Sequence, residues 1–251
     1  MKTIARSEER EGLTHDVLDA GTLSLDERKA MFALFDRYYE RISYTRFLAD
    51  LEAKDIVVLA RRTDGEIAGF STASFHQLDV DGQSIQYFFS GDTVLDAAHW
   101  GESGSMRALF REAGRRKARS PQERLFWFSI FNGHRTFRVL PNFFREFVPG
   151  TGDGPNPELV SIRYAIARDR YGTQFDGATG LVDFGRSLGN LRSKWALLDE
   201  AAQRSRYAAL FRSLNPHADR GVELACLAEF DLSNMKRYAA TAFAEGLRGS
   251  A

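Results

Sequence analysis

The chain is poor in the residues that build covalent or metal frameworks. It has a single cysteine, Cys226, so no intrachain disulfide can form and no cysteine-based zinc site of the usual kind is available. Its five histidines, His15, His76, His99, His134 and His217, are scattered, and none pairs with another at metal-ligand spacing. No metal is expected. A surplus of either charge is also missing, with 34 basic against 34 acidic residues. General nucleic-acid and anionic-membrane binders need excess positive charge to displace counterions, so neither partner is expected. No apolar run reaches the length of a bilayer crossing. Met1 to Gly12 is charged and lacks the apolar core of a secretion signal, which makes a cytoplasmic location the expectation.

What the chain does have is length and phenylalanine. Its 251 residues are enough for one large domain or one domain with a substantial addition, and 43% hydrophobic residues can supply a packed core. There are 20 Phe, clustered at Phe88–Phe89, Phe126–Phe128 and Phe143–Phe144. They read either as core packing or as the wall of an apolar acyl pocket. Cys226 reads as a small buried residue of a late strand.

Along the chain, Ser24 and Glu27 fit a capping box, and Met31, Leu34, Phe35, Tyr38, Tyr39 and Ile42 recur at helical spacing. A second helix is predicted over 44–53 and a short strand over 16–20. Residues 56–60, 67–78 and 84–90 read as an antiparallel meander, turned at Thr63–Glu66 and at Asp81–Gly82. A glycine-bearing loop over 94–104 leads into a helix over 105–117. A very apolar strand over 125–131 follows, so the unit implies a parallel crossover. Asn132 is a candidate N-cap for a helix that Pro141 should end or kink. The Thr151–Pro157 stretch is the clearest break in the chain. Beyond it, a strand over 159–167, an irregular Gly-rich segment over 175–189 and a helix over 193–214 are predicted. In that helix Trp195, Leu198, Ala202, Ala209 and Leu210 would face inward. A strand over 222–230 and a last helix, capped by Asp231 or Ser233, complete the reading. The expected class is α/β (mixed α+β), with a core over 1–150 and a C-terminal extension over 151–251 that completes the fold or covers the acceptor side.

This order of elements resembles the GNAT fold of acyl-CoA N-acyltransferases over roughly residues 16–149. Asp92-Thr93-Val94-Leu95-Asp96 resembles the end of the family's fourth strand. Trp100-Gly101-Glu102-Ser103-Gly104-Ser105-Met106 stands where the family has its pyrophosphate loop, and Phe128-Ser129-Ile130-Phe131-Asn132 resembles its fifth strand. Only the central glycine of the loop matches the usual pattern. The aromatic residue that often serves as general acid falls near Leu140, which cannot give a proton.

The resemblance implies a mixed sheet with an antiparallel meander and splayed parallel strands. It also implies acyl-CoA or acetyl-CoA as co-substrate, and direct transfer of the acyl group to a small-molecule or peptide amine. An acyl-carrier protein remains open as donor, since it needs no pyrophosphate site. A homodimer is open as well. By position, the donor-binding candidates are Thr93, Val94, Gly101, Gly104, Ser105, Arg107, Asn132 and Arg135. Glycines and a helix N-terminus suit a phosphate, and Arg107 stands in the first helical turn, where the dipole disfavours a cation. The catalytic candidates are Asp92 as base, His99 as base or phosphate ligand, and Tyr87 as proton donor to the leaving sulfur. A rival reading is a catalytically degenerate GNAT-shaped module that binds a ligand or a protein.

Overall fold

The computed structural model describes residues 12–150, 154–185, 190–192 and 205–249. Strand β1 (Thr14–Asp19) is followed by helix α1 (Leu25–Tyr38). The Ser24–Glu27 capping box forms in both directions: Glu27 accepts from the Ser24 N–H at 2.8 Å, and Ser24 Oγ accepts from the Glu27 N–H. Such a cap contributes about 1 kcal/mol. Met31, Leu34, Phe35 and Tyr38 form the buried stripe of α1. The helix stops where Tyr39 turns extended and enters β2 (Tyr39–Glu40). Helix α2 (Tyr44–Glu52) buries Phe47 and Leu51.

Strands β3 (Ile56–Arg61), β4 (Ile67–Val80) and β5 (Gln83–Leu95) make the meander. Asp81 and Gly82 both take positive φ at its second turn, as a tight hairpin requires. Helix α3 (Gly104–Arg119) crosses to β6 (Arg124–Phe131), which runs parallel to β5. Two short helices follow, α4 (His134–Phe137) and α5 (Val139–Phe143). They divide at Arg138, next to the Phe137 carbonyl against which the Pro141 ring would press. Asn132 does not cap this segment. It lies in a bend, Gly133 holds the N-cap position, and no side chain caps α4.

Residues 157–171 form helix α6 (Pro157–Tyr171), not a strand. The β-branched residues Val160, Ile162 and Ile166 suggest a strand, but the start signals decide otherwise. Asn156 Oδ1 accepts from the Glu158 and Leu159 N–H groups, Pro157 opens the first turn, and Leu159, Ile162 and Ile166 repeat at helical spacing. Short strands β7 (Phe175–Asp176), β8 (Leu181–Val182) and β9 (Asn190–Leu191) precede α7 (Arg206–Leu214). The expected helix over 193–214 starts outside the described residues. Within α7, Ala208 and Phe211 are buried, whereas Ala209 is exposed and Leu210 half-buried. Strand β10 (Glu223–Glu229) carries a fully buried Cys226, and α8 (Arg237–Arg248) closes the described chain. Asp231 and Ser233 do not cap α8. They close the preceding turn, and Lys236 takes the N-cap position.

The main sheet has the order β1-β3-β4-β5-β6-β10-β8-β7, and β2 pairs separately with β9. Among the described strands only β5 and β6 pair in parallel. This mixed sheet is the architecture that the GNAT resemblance implies. Strand β10 pairs antiparallel with β6, so residues beyond 151 continue the same sheet. One face carries α3 and α8 over Val58, Phe88, Trp127 and Cys226. The other carries α1 and α2 over Val57, Leu59 and Phe70, with α6 beside them over Tyr87, Phe126, Phe128 and Ala225. Most clustered phenylalanines are core: Phe88, Phe126, Phe128 and Phe144 are essentially inaccessible. Trp127, Phe230 and Phe243 stack between sheet and helices.

Candidate active site

The parallel pair holds only part-way. β5 and β6 are in register from Ile85↔Arg124 to Phe89↔Phe128, and there the pairing stops. Ser90 Oγ and Ser129 Oγ still meet at 2.5 Å, and Ser90 Oγ accepts from Trp127 Nε1 at 2.9 Å. From there to Leu95 the β6-facing edge of β5 has no strand partner among the described residues, so the two strands part there and leave a cleft between their ends. Ligands of parallel sheets gather at this carboxyl end of the strands.

A bulge aims side chains at the cleft. β4 pairs Ala73 with Ser90 and Ser71 with Thr93, so Gly91 and Asp92 together face Thr72. A bulge of this kind re-aims side chains next to functional sites. It turns Gly91 and Asp92 toward the face covered by α1, α2 and α6. Glu223 reaches the same face from β10, in alternation with Ala225 and Leu227. Just beyond α2, Lys54 Nζ donates to Asp50 Oδ2 at 2.5 Å and to the Asp50 carbonyl at 2.9 Å. The Lys54 stem lies across Gly91.

Asp50, Asp92 and Glu223 therefore share one partly enclosed space. Burial is the first cause that pushes the Asp92 carboxyl up to about 7. The Asp50 charge adds to it and Lys54 opposes it. Glu223 is pushed up to about 8, again by burial first and then by Asp92 and Asp50. The Asp92 charge thus raises Glu223, and titrations of Asp92 and Glu223 linked in this way are a property of the group. Burial and the same two charges drive the Tyr39 phenol upward. A carboxyl poised near neutrality suits general-base work.

Further along this face, Arg170 of α6 lies 4.0 Å from the Phe89 ring centroid, and Lys54 Nζ is 5.9 Å from it. Arg170 Nη1 donates to His76 Nε2 at 3.0 Å and to Tyr87 Oη at 3.4 Å. His76 stacks on Tyr87 with centroids 4.9 Å apart. Burial, then Arg170, lowers the His76 pKa, so the neutral ring accepts at Nε2. Tyr87 is thus held by Arg170 and His76 on the α6 side of the sheet.

The opposite face offers a second feature. α3 and α8 run parallel and nearly touch. A Cβ on Gly114 would strike the Phe243 carbonyl, and one on Gly246 would strike the Arg111 carbonyl. Their N-termini therefore open at the same end, where Ser103 Oγ donates to Tyr238 Oη at 3.0 Å. Neither helix has a side-chain cap or an acidic residue in its first turn. Arg107, Arg237, Tyr238 and Thr241 line a cavity of about 350 Å³ there. Two open helix starts with two arginines match a pyrophosphate in charge and in donors.

The remaining expected residues are distributed around these two features. Thr93 bonds Ser71 through its hydroxyl, and Val94 is buried under α1. Gly101 has φ +98°, which a side chain would oppose. Gly104 starts α3, followed by Ser105, and a Cβ on Gly104 would overlap the His15 ring. Arg107 is paired with Glu245 of α8. Arg135 lies over the Trp100 ring at 5.0 Å, joining the segment after β6 to the loop after β5 across the cleft mouth. His99 is buried, with its Nδ1 held by Glu102 at 2.8 Å in the loop, away from Asp92 in sequence and partners. Leu140 is buried in the core.

Sequence reasoning missed Glu223, Asp50, Lys54, Tyr39, Arg170 and the Arg237–Tyr238 pair. They stand on β2, on α2 and just after it, and on α6, β10 and α8, and only the sheet order brings them together. The one available signal was Gly91, whose lack of a side chain marks a close approach.

No protein-family model matches the chain, and no curated protein matches it in sequence. Among solved structures, the chain is similar to an Enterococcus faecalis protein described as a "Probable N-Acyltransferase". The identity is 17% and the TM-score 0.39, over 53% of this chain and 33% of that one. It is also similar to a GNAT family N-acetyltransferase, YhbS, from Escherichia coli in complex with CoA, at 17% identity and TM-score 0.37, over 55% and 72% of the two chains. Arabidopsis thaliana NAA60 in complex with acetyl-CoA is matched at 15% identity and TM-score 0.38, over 55% and 90%. Among the described residues no helix is long and apolar enough to cross a membrane.

Proposed function

We propose that this protein moves an acyl group from a CoA thioester to an amine by direct transfer. The observation that carries the reading is the placement of the Asp92–Glu223 pair at the splayed end of β5 and β6. The paired helix starts of α3 and α8 open on the other face of the same sheet. Each face then serves one substrate. Arg237 and the first-turn N–H groups hold the donor's pyrophosphate, its thioester arm enters the cleft along the open edge of β5, and the amine arrives beside Asp92.

Asp92 accepts one proton from the incoming ammonium, leaving nitrogen with a free lone pair. The bond that forms joins nitrogen to the acyl carbon, and the bond that breaks is acyl carbon to sulfur. The second nitrogen proton leaves with the sulfur as thiol, and Asp92 returns its own to solvent. Leu140 supplies no acid, so the thiol needs none from that position. An open backbone N–H near Thr93 or Val94 is the natural donor to the carbonyl oxygen.

A second reading is a module that binds a ligand without turnover. It is favoured by the pairing of Arg107 with Glu245, which occupies the cation nearest the α3 start. The deciding experiment pairs thermal stabilisation by CoA, acetyl-CoA, longer acyl-CoA and phosphopantetheine with thiol release over an amine panel. Stabilisation together with amine-dependent thiol release supports the transferase. Stabilisation without thiol release supports the binding module. Stabilisation by phosphopantetheine equal to that by CoA would remove the pyrophosphate site.

A further inference from the structure

Arg170 poses a problem that acyl transfer alone does not solve. It is a half-buried cation on α6, and among the described residues no carboxylate pairs with it. Its partners are neutral: His76 Nε2 at 3.0 Å, Tyr87 Oη at 3.4 Å, the Phe89 face at 4.0 Å and the Tyr171 face at 5.9 Å. Its Nε is buried and has no hydrogen-bond partner. A buried cation is costly unless it is paired. Lys54, another cation at this face, is already paired with Asp50 at 2.5 Å.

Arg170 also stands at a defined place relative to the carboxylates. Phe89, which it covers, is the last paired residue of β5, and Asp92 follows on the same face after the bulge. Tyr171, the next residue of α6, feels both the Arg170 charge and the Glu223 charge. The acceptor side of the cleft is therefore dipolar. Carboxyls stand at the splayed strand ends, and on the α6 side stands a guanidinium that no carboxylate pairs with among the described residues.

We propose that the acceptor is an amine that carries its own carboxylate, an amino acid, with its amino group toward Asp92 and Glu223 and its carboxylate on Arg170. This rests on the acyl-transfer reading and narrows its acceptor class. A guanidinium grips a carboxylate through a planar fork, and stacking on Phe89 fixes the plane of that fork in advance. A simple amine or a polyamine would satisfy the carboxyls and leave Arg170 unpaired. A peptide's N-terminal residue has no free carboxylate in the same place.

The test uses the full chain and matched pairs: L-phenylalanine against phenethylamine, L-lysine against cadaverine, L-alanine against ethylamine. Each is read twice, by thermal stabilisation without donor and by thiol release from acetyl-CoA and from a medium-chain acyl-CoA. The same readings are taken on Arg170→Gln and Arg170→Lys. The expected result is a preference for the amino acid of about 10- to 100-fold in kcat/KM, the range of a charged hydrogen bond. Arg170→Gln should abolish that preference, and Arg170→Lys should restore part of it while raising KM more than it lowers kcat. Equal use of both members of each pair overturns the acceptor class and leaves acyl transfer standing. A preference that survives in Arg170→Gln overturns the role of Arg170. Absence of thiol release with any acceptor overturns the transferase reading. In that case, stabilisation by amino acids alone that is lost in Arg170→Gln retains the site as an amino-acid site, and absence of that stabilisation overturns it.

Discussion

The side chain of Lys54 lies directly across Gly91: a Cβ at residue 91 would collide with Lys54 Cε and with Thr72 Oγ1. Gly91 is therefore what lets the lysine that follows α2 reach the β5 bulge beside Asp92. Gly91→Ala is expected to push Lys54 away from Asp50 and destabilise the fold by about 1–3 kcal/mol, as overpacking does. Urea unfolding measures this, and an unchanged midpoint would contradict the contact.

Asp92 is the proposed base. Asp92→Asn should lower turnover by about 10²- to 10⁴-fold, the usual contribution of a positioned base, while donor affinity stays near that of the parent. In the parent, kcat/KM should rise with pH through about 7, as the carboxyl loses its proton. A variant with normal turnover, or a parent profile flat from pH 6 to 8, would remove Asp92 from the mechanism.

The same carboxyls predict how stability depends on pH. Unfolded Asp and Glu release protons at about 3.9 and 4.3, whereas folded Asp92 and Glu223 hold theirs up to about 7 and about 8. Between those limits the folded chain binds more protons than the unfolded one, so raising the pH lowers stability, and the loss is complete above pH 8. The groups facing the pair are Asp50 of α2, Lys54 just beyond it, Tyr39 of β2 and Tyr171 of α6. Asp92→Asn and Glu223→Gln remove this cost. Each should melt above the parent at pH 8.5 and close to it at pH 4, in scanning calorimetry at both pH values.

On the donor side, Arg237 is exposed at the start of α8 and lines the cavity between the helix starts. Arg237→Glu should weaken CoA binding by about tenfold or more, in line with a lost charge-assisted bond. Phosphopantetheine binding should change much less. Titration calorimetry with both ligands separates the two, and equal losses would place the phosphates elsewhere.

Much of the scaffold is legible in the sequence because its signals are local. The Ser24–Glu27 cap, the Asp81–Gly82 turn and the apolar run of β6 each depend on residues a few positions apart. The same local logic failed at residues 157–171, where β-branched residues outweighed the Asn156–Pro157 start, and at Asn132, whose side chain had an obvious role that it does not fill. Asp92 was singled out because the family resemblance places it at a strand end. The bulge that aims it depends on the register against β4, which no residue near Asp92 encodes.

The sequence by itself determined the first helices and hairpins, the parallel crossover, the lack of disulfides and the core of aromatic residues, because composition and short-range periodicity decide these. Only the tertiary structure decided the site. Asp50, Asp92 and Glu223 are far apart in the chain, and they come to one face of the sheet because β5 bulges at Gly91–Asp92 and β10 pairs beside β6, while Arg170 reaches the Phe89 end of that face from α6. Their chemistry comes from that enclosure. A carboxyl rises toward neutrality, and a guanidinium is left without a counter-charge, only where neighbouring elements exclude water and hold like charges close.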